Sequence, residues 1–305
     1  MSPRARASAA SRPARLEVRK TYKLYIGGEF PRTESGRAYP VVSARGELLA
    51  NASRATRKDV RDAVRSARKA FRGWAAKTAF NRSQILYRIA ELMEGRAEQF
   101  VSEVAAAEGI RRPRARRLVE ASIDRWVWYA GWADKFGQVI GTVNPVAGSY
   151  FNFSIVDPTG VVGVVAPEQS SLLGLVSRLA PVIVSGNTAV VVASETRPLP
   201  AVTLTEVLAT SDVPGGVVNI LTGLRRELLA PLAGHMDVNA LDLYAADGDG
   251  TAALQEVATA NMKRVVRPSS SAADGDDAWL APAAQSPYLI GNFVEIKTVW
   301  HPIGA

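Results

Sequence analysis

The sequence predicts an α/β protein, in which a doubly wound parallel sheet is joined to an N-terminal helical layer and a small antiparallel sheet. Between 158 and 267, short Val-rich and Ile-rich runs alternate with helix-length segments, a pattern typical of parallel strands covered on both faces. Between 56 and 136, apolar residues recur at helical spacing instead. Two further segments, 138–157 and 288–305, show the polar and apolar alternation of antiparallel strands.

The first 20 residues form a basic segment. Residues 1–20 carry six Lys and Arg residues against one Glu, among Ser, Pro and Ala, and the run at 111–117 adds five arginines. Since the formal net charge of the whole chain is +8, the remainder is close to neutral. We interpret residues 1–20 as a disordered, solvated arm. A nucleic-acid-binding arm is the alternative, which the absence of aromatic residues for base stacking disfavours.

Residues 21–137 are predicted as the helical part. It opens with a short hairpin at 21–31 around Gly27-Gly28. Thr56 followed by Asp59 is a capping signature for the first helix. Further helices are predicted over 85–93, 96–108 and 114–136, and the run at 111–117 is interpreted as the loop and solvated start before the last of them. The apolar stripe of the first helix comprises Val60, Ala63, Val64, Ala67, Ala70, Phe71 and Trp74.

The α/β region is predicted over 158–267, after two strands within 138–157. Its strands are expected at 160–167, 188–193, 217–221, 241–244 and 263–267, with a helix between each pair. Residues 268–287, rich in Ser, Ala, Asp and Pro, are predicted as a linker. The strand-like segment 288–301 must then add to a sheet edge in its own chain or in a neighbouring subunit.

Composition limits the available chemistry. The 305 residues contain no cysteine and two histidines, which excludes disulfides, thiol nucleophiles and multi-histidine metal sites. Neither a signal peptide core nor an uncharged run of roughly 18 apolar residues occurs, so we expect a cytoplasmic protein with no membrane role.

The residues that follow the predicted strands are candidates for ligand contacts, because doubly wound sheets bind ligands at the carboxyl ends of their strands. Neither a dinucleotide fingerprint nor a phosphate loop with its lysine occurs there. Glu195 is placed to accept ribose hydroxyls, but a solvated carboxylate near the start of the next helix is the favoured interpretation. Glu168 has the same ambiguity.

These motifs together resemble the aldehyde dehydrogenase superfamily. The stretch from Asp157 to Gly223, DPTGVVGVVAPEQSS through VVNILTG, is similar to the cofactor-binding domain of that family. The upstream IGGEF at 26–30 and ILYRIAELME at 85–94, and the terminal NFVEIKTVW at 292–300, also match it in family order. The resemblance implies a Rossmann-like domain at 158–267 and an oligomerisation sheet built from the hairpin 138–157 and the terminal strand within 288–305.

The resemblance also implies a mechanism whose residues can be checked in turn. In the family a cysteine attacks the aldehyde, an asparagine in Pro-Trp-Asn holds the oxyanion, and hydride passes to NAD(P). A glutamate in Glu-Leu-Gly-Gly then activates water. Here Gln169 stands in place of the asparagine, Pro268 in place of the glutamate, and the cysteine is absent. The segment 268–287 stands where the catalytic domain would follow.

The cofactor contacts that the resemblance implies are only partly kept. Ser194, Glu195 and Gly250 match family cofactor-binding positions, whereas Val192 stands where the family has a lysine. The glycine of Phe-Thr-Gly-Ser is replaced in Leu243-Tyr244-Ala245-Ala246. We therefore expect no catalytic residue and no firmly bound cofactor, which leaves room only for weak NAD or NADP binding.

From these departures we predict a pseudoenzyme that serves as a structural or regulatory subunit. It would assemble with itself or with an active aldehyde dehydrogenase through 138–157 and 288–301. A residual NAD(P)-binding protein or nucleotide sensor, using Ser194, Glu195 and Gly250, is the first alternative. A nucleic-acid-associated protein is a distant second.

Overall fold

The computed structural model describes residues 18–246, 250–267 and 275–304. Its first elements form a small sheet that the sequence analysis did not predict. The strands are β1 (Thr21–Tyr22), β2 (Ala38–Val42) and β3 (Leu48–Ser53), in the order β1-β3-β2. The predicted hairpin at Gly27-Gly28 is present as a tight turn, in which Ile26 and Glu29 exchange backbone hydrogen bonds of 3.0 and 3.1 Å.

A layer of helices follows, as predicted. It comprises α1 (Arg57–Ala75), α2 (Ala79–Glu94), α3 (Ala97–Glu108), α4 (Arg112–Trp132) and the short α5 (Phe136–Ile140). The capping signature is confirmed, since the backbone N–H of Thr56 donates to Asp59 Oδ2 at 2.7 Å. The predicted helix over 114–136 is divided, because the chain turns between α4 and α5. Strands β4 (Thr142–Asn144) and β5 (Tyr150–Pro158) come next, so the start of the predicted hairpin at 138–157 is helical.

The doubly wound parallel sheet is confirmed. In chain order it contains β6 (Val161–Val165), α6 (Leu173–Val184), β7 (Thr188–Val192), α7 (Leu199–Leu208), β8 (Val218–Leu221), α8 (Arg225–Ala233), β9 (Ala240–Asp242), α9 (Thr251–Ala258) and β10 (Arg264–Val266). The strand order is β10-β9-β6-β7-β8, and each pair is parallel. The chain therefore reverses its direction of winding between β6 and β9, which is where such sheets bind ligands.

The prediction of a linker through 287 and of a strand from 288 was wrong in its boundaries. The described part of this segment contains α10 (Asp276–Leu280), a 3₁₀ turn over Pro282–Ala284 and α11 (Tyr288–Gly291), and the last strand, β11, spans Val294–Pro302. The apolar residues Ile290 and Phe293 are fully buried, as expected for i and i+3 positions around a helical turn. Pro268 and its neighbours to 274 lie outside the described residues.

The small antiparallel sheet is confirmed, and its strand order is β11-β5-β4. Strand β11 pairs with β5 at nine positions, from Val294 opposite Pro158 to Pro302 opposite Tyr150. The last strand thus completes a sheet of its own chain, which was one of the two arrangements that the sequence allowed. Among the described helices, none is long and apolar enough to cross a membrane.

Candidate functional site

A cleft of about 590 Å³ lies beside the residues that follow β6, β7 and β9, at the reversal point of the central sheet. The N-terminal ends of α8 and α9 border it. Four residues singled out from the sequence, Glu168, Gln169, Glu195 and Gly250, line it, and Ser194 contacts its wall. The rest of the lining comprises Thr196, Arg197, Arg225, Arg226, Leu229, Ala230, Ala246, Thr251 and Leu254.

Glu168 spans this cleft from the end of β6 to the turn after β7. Its Oε2 atom accepts hydrogen bonds from Ser194 Oγ at 2.8 Å, Thr196 Oγ1 at 2.9 Å and the Thr196 N–H at 3.2 Å. Its Oε1 atom accepts from the Glu195 N–H at 2.9 Å and lies 2.6 Å from Arg225 Nε. The carboxylate of Glu168 therefore accepts hydrogen bonds from the whole turn and pairs with a guanidinium.

The surroundings of Glu168 favour its ionised form. Burial alone raises the pKa of this carboxyl, but the charge of Arg225 and the hydrogen bonds from Glu195, Ser194 and Thr196 together outweigh burial and hold the pKa below its ordinary value. Arg225 also donates to the carbonyl of Ala166, so its guanidinium lies across the end of β6. The backbone carbonyl of Glu168 accepts from Arg197 at 3.0 Å. Glu168, Arg197 and Arg225 therefore form a network of charged side chains at the carboxyl end of β6.

Glu195 uses part of its carboxylate to cap a helix. Its Oε2 atom accepts a hydrogen bond of 2.7 Å from the backbone N–H of Arg225, the first residue of α8. A carboxylate at this position satisfies a free helix N–H and interacts favourably with the helix dipole. Ser194 is buried and accepts from the Arg197 N–H at 3.0 Å. Ser194 and Glu195 thus lie at the carboxyl edge of the sheet, as predicted, and both are hydrogen-bonded to groups of the same chain.

Gly250 is the N-cap residue of α9, on the far side of the cleft. Its φ of 110° favours glycine, although a Cβ there would meet open space. Ala246, which stands in the segment matched to the family's Phe-Thr-Gly-Ser, lies in the cleft wall, and Ala245 beside it is buried. Residues 247–249 lie outside the described part of the chain. In that part, we find no cluster of three or more His, Cys, Asp or Glu side chains that could hold a metal ion.

The segment containing α10 covers the start of α6, next to Gln169. Ser170, whose φ is 53°, donates a hydrogen bond to the carboxylate of Asp276. The indole of Trp279 lies against Gly174, where an added Cβ would approach Trp279 to 3.1 Å. The surface that follows Gln169 is therefore covered by the chain's own residues. Pro268, the other family catalytic position, cannot be placed because it lies outside the described residues.

An ion pair that was not predicted from the sequence is buried between α6 and β9. Arg178 of α6 donates to both carboxylate oxygens of Asp242, at 2.7 and 2.9 Å, and the two side chains are 2% and 0% exposed. The Arg178 guanidinium also lies 4.3 Å from the centre of the Tyr244 ring. The only signal in the sequence was the pair of charged residues inside otherwise apolar elements.

The Arg-rich run at 111–117 was predicted as a loop and the solvated start of a helix, but it is helical from Arg112 and forms the beginning of α4. Arg112 pairs with Glu98 at 2.8 Å, Arg116 pairs with the same carboxylate, and Arg114 lies 2.8 Å from Asp277. The charges of these three arginines are therefore partly balanced within the chain, which reduces their attraction for a polyanion.

The residues of the cleft do not fit NAD(P), the cofactor that the family resemblance implies. The hydroxyls and N–H groups of the turn after β7 already face the Glu168 carboxylate, and one oxygen of Glu195 caps α8. A phosphate or ribose at this edge would have to replace these internal contacts and would meet the negative charge of Glu168.

Comparisons with known proteins identify the family. The aldehyde dehydrogenase family profile matches residues 31–270. An aldehyde dehydrogenase of Alternaria alternata is 31% identical over 84% of this chain and 51% of its own length. The mitochondrial aldehyde dehydrogenase family 2 member B4 of Arabidopsis thaliana is 32% identical over 80% of this chain and 45% of its own. The chain thus spans about half the length of these relatives.

Solved structures lead to the same family. The NAD⁺ complex of an aldehyde dehydrogenase from Bacillus cereus superposes with a TM-score of 0.74 and 26% identity, over 81% of this chain and 50% of that one. HpcC from Thermus thermophilus gives a TM-score of 0.77 and 29% identity, over 81% of this chain and 47% of that one. The chain belongs to the aldehyde dehydrogenase family.

Proposed function

We propose that this chain is a non-catalytic member of the family that assembles, through its small sheet, with itself or with a catalytically complete relative. The observation that carries the proposal is an apolar surface on one side of that sheet. We call it the open face, and it comprises Val143, Phe151, Phe153, Ile155 and Val299.

The strand register brings these five side chains together. Val143 of β4 and Val299 of β11 both lie opposite Phe153 of β5, so the three form one row across the sheet. Phe151 and Ile155 are two residues to either side of Phe153 and point to the same face. Val143, Phe151 and Ile155 are exposed. A contiguous exposed apolar patch of this kind marks a protein interaction site.

The opposite face combines polar side chains with three exposed apolar ones, Tyr150, Ile296 and Trp300. Asn144 Nδ2 donates to Asn152 Oδ1 at 2.6 Å and to Ser154 Oγ at 3.1 Å, and the Ser154 and Thr298 hydroxyls lie 3.0 Å apart. These polar contacts hold the strands in register without using the open face. On the open face, Lys297 lies opposite Ile155 and pairs with Asp157, so this charged pair borders the apolar side chains. An apolar centre with a polar border is the usual composition of a subunit interface.

The absence of catalysis is supported by the departures from the family pattern. The resemblance assigns the nucleophile to a cysteine, and these 305 residues contain none. Gln169 stands in place of the oxyanion amide, and the segment with Trp279 covers the adjoining start of α6. Loss of the nucleophile of an acyl-transfer site costs several orders of magnitude in rate.

The test is native mass spectrometry of the chain, alone and after co-expression with a complete aldehyde dehydrogenase from the same source. We expect oligomers of this chain or mixed species with the partner. Exclusive monomers in both samples would overturn the proposal.

A matched pair of variants identifies the contact surface. Ile155→Glu places a charge on the open face, and Ile296→Glu places one on the opposite face of the same sheet. The two isoleucines have similar exposure, 45% and 59%. We expect Ile155→Glu to dissociate the assembly and Ile296→Glu to leave it intact, because only the first charge is buried in the interface. Equal behaviour of both variants would exclude the open face as the contact.

A further inference from the structure

The turn after β7 has the construction of an anion site. The backbone N–H groups of Glu195 and Thr196 and the hydroxyls of Ser194 and Thr196 all point to one place at the end of the sheet. Successive N–H groups in a turn make a concave surface that binds anions. The guanidinium of Arg225 adds a positive charge at the same place.

The anion in this site is the chain's own Glu168. Its two carboxylate oxygens divide the available donors, as a bound phosphate or carboxylate ligand would. The side chain is 23% exposed, so the carboxylate lies in the wall of the cleft and does not extend into solvent.

We propose that Glu168 is an internal ligand that closes the cleft to a dinucleotide, and that removal of its carboxylate opens a nucleotide site. A group tethered beside its receptor competes at high effective concentration, so an external ligand must displace it. The phosphates of a dinucleotide would also be repelled by the charge of Glu168. This inference does not require the assembly role proposed above.

The other groups of the site have contacts that do not depend on Glu168, so they should keep their positions when Glu168 is replaced. Arg225 is also held by the carbonyl of Ala166, and its backbone N–H is bonded to Glu195. Gly250, the N-cap residue of α9, lies across the cleft, with open space where a side chain would stand. The donors of the turn belong to the backbone and to the short side chains of Ser194 and Thr196, which need no rearrangement to face a new ligand.

The test compares the wild type with Glu168→Ala and Glu168→Gln by isothermal titration with NAD, and with ADP as a shorter probe. Glu227→Ala is the matched control, because Glu227 lies on α8 and pairs with Arg54 at 3.0 Å outside the cleft lining. We expect Glu168→Ala to bind NAD roughly tenfold to hundredfold more tightly than the wild type, the equivalent of one charge-assisted hydrogen bond. Glu168→Gln should gain less, and Glu227→Ala should behave as the wild type.

Two results would overturn the inference. One is wild-type protein that binds NAD as tightly as Glu168→Ala does. The other is a folded Glu168 variant, verified by circular dichroism, that binds neither nucleotide. Should Glu168→Ala not fold, the nearly isosteric Glu168→Gln decides by the same titration. Failure of assembly in mass spectrometry would leave these titrations unaffected, so the two proposals fail independently.

Discussion

Trp279 anchors the segment that follows the central sheet, and its replacement tests whether that segment is part of the folded unit. The indole is 3% exposed and lies against Gly174 of α6. Its ring meets that of Tyr244 edge to face, with centroids 5.8 Å apart. Its backbone carbonyl accepts a hydrogen bond of 2.9 Å from Arg125. Trp279→Ala would leave a cavity between α6 and α10.

The size of the effect follows from burial. Truncation of a buried tryptophan to alanine costs about 3–5 kcal/mol of unfolding free energy, since transfer and cavity contributions add. Within the described residues, the Nε1 atom of Trp279 is buried without a hydrogen-bond partner. Trp279→Phe keeps most of the ring and removes this unpaired donor, so it should cost less than about 1.5 kcal/mol.

Urea unfolding with linear extrapolation measures both variants. The control is Tyr288→Ala, a truncation of an aromatic residue in the same segment that is 71% exposed, which should change stability by no more than about 0.5 kcal/mol. If Trp279→Ala were no more destabilising than Tyr288→Ala, the packing of residues 275–287 onto α6 would not hold in solution.

Three other predictions concern the same region. Asp242→Asn leaves Arg178 buried without a countercharge, so urea unfolding should show a loss of about 3–5 kcal/mol; an unchanged midpoint would contradict the burial of the pair. Gly174→Ala brings a methyl group to 2.3 Å from Pro167 Cγ and should cost about 1–3 kcal/mol by overpacking, which calorimetry would detect as a lower Tm. Folding lowers the pKa of Glu168, so its stabilisation is complete above the unfolded pKa of 4.5 and is lost as pH falls through the folded value. Glu168→Gln should therefore be less stable than the wild type at neutral pH and approach it in acid, and a gap that widens in acid would refute this sign.

The elements with regular periodicity could be predicted from the sequence. The stripe of α1 and its Thr56 cap, and the strands β6 and β7, depend on local spacing and on burial of continuous apolar runs. The sheet β1-β3-β2 was missed, because its strands are short and contain Pro40, Asn51 and alanines, which have weak strand propensity. Such strands form because tertiary neighbours supply the pairing.

The packed segment after the central sheet was mistaken for a linker for a similar reason. Ser, Ala, Asp and Pro are equally typical of a loose connection and of a short covering segment, so composition does not separate the two. The available signal was Trp279-Leu280, two large apolar residues within a stretch of small and polar ones. A buried aromatic residue in such a stretch indicates a docking point more reliably than the average composition indicates a linker.

The candidate site was predictable in its position and not in its contacts. Parallel strands end at one edge, which is why Glu195 and Gly250 could be expected at the same cleft. The pairing of Glu168 with Arg225 depends on the directions of two side chains from different strand ends, and periodicity carries no information about these. For Glu168 the sequence suggested a choice between ligand contact and solvent, whereas the structure shows a third state, an internal ion pair.

That third state bears on how the chain satisfies its own cleft. A glutamate placed at a strand end without partners would lose hydration and destabilise the sheet. Here the charge of Arg225 and the hydrogen bonds to Glu168 favour the carboxylate more than burial disfavours it, and its pKa is lowered. The polar groups of the cleft are therefore paired with groups of the same chain. The open face of the small sheet is the opposite case, since Val143, Phe151 and Ile155 remain exposed to water. The groups within this chain therefore satisfy its cleft but leave the open face uncovered, and a second protein surface would bury that face.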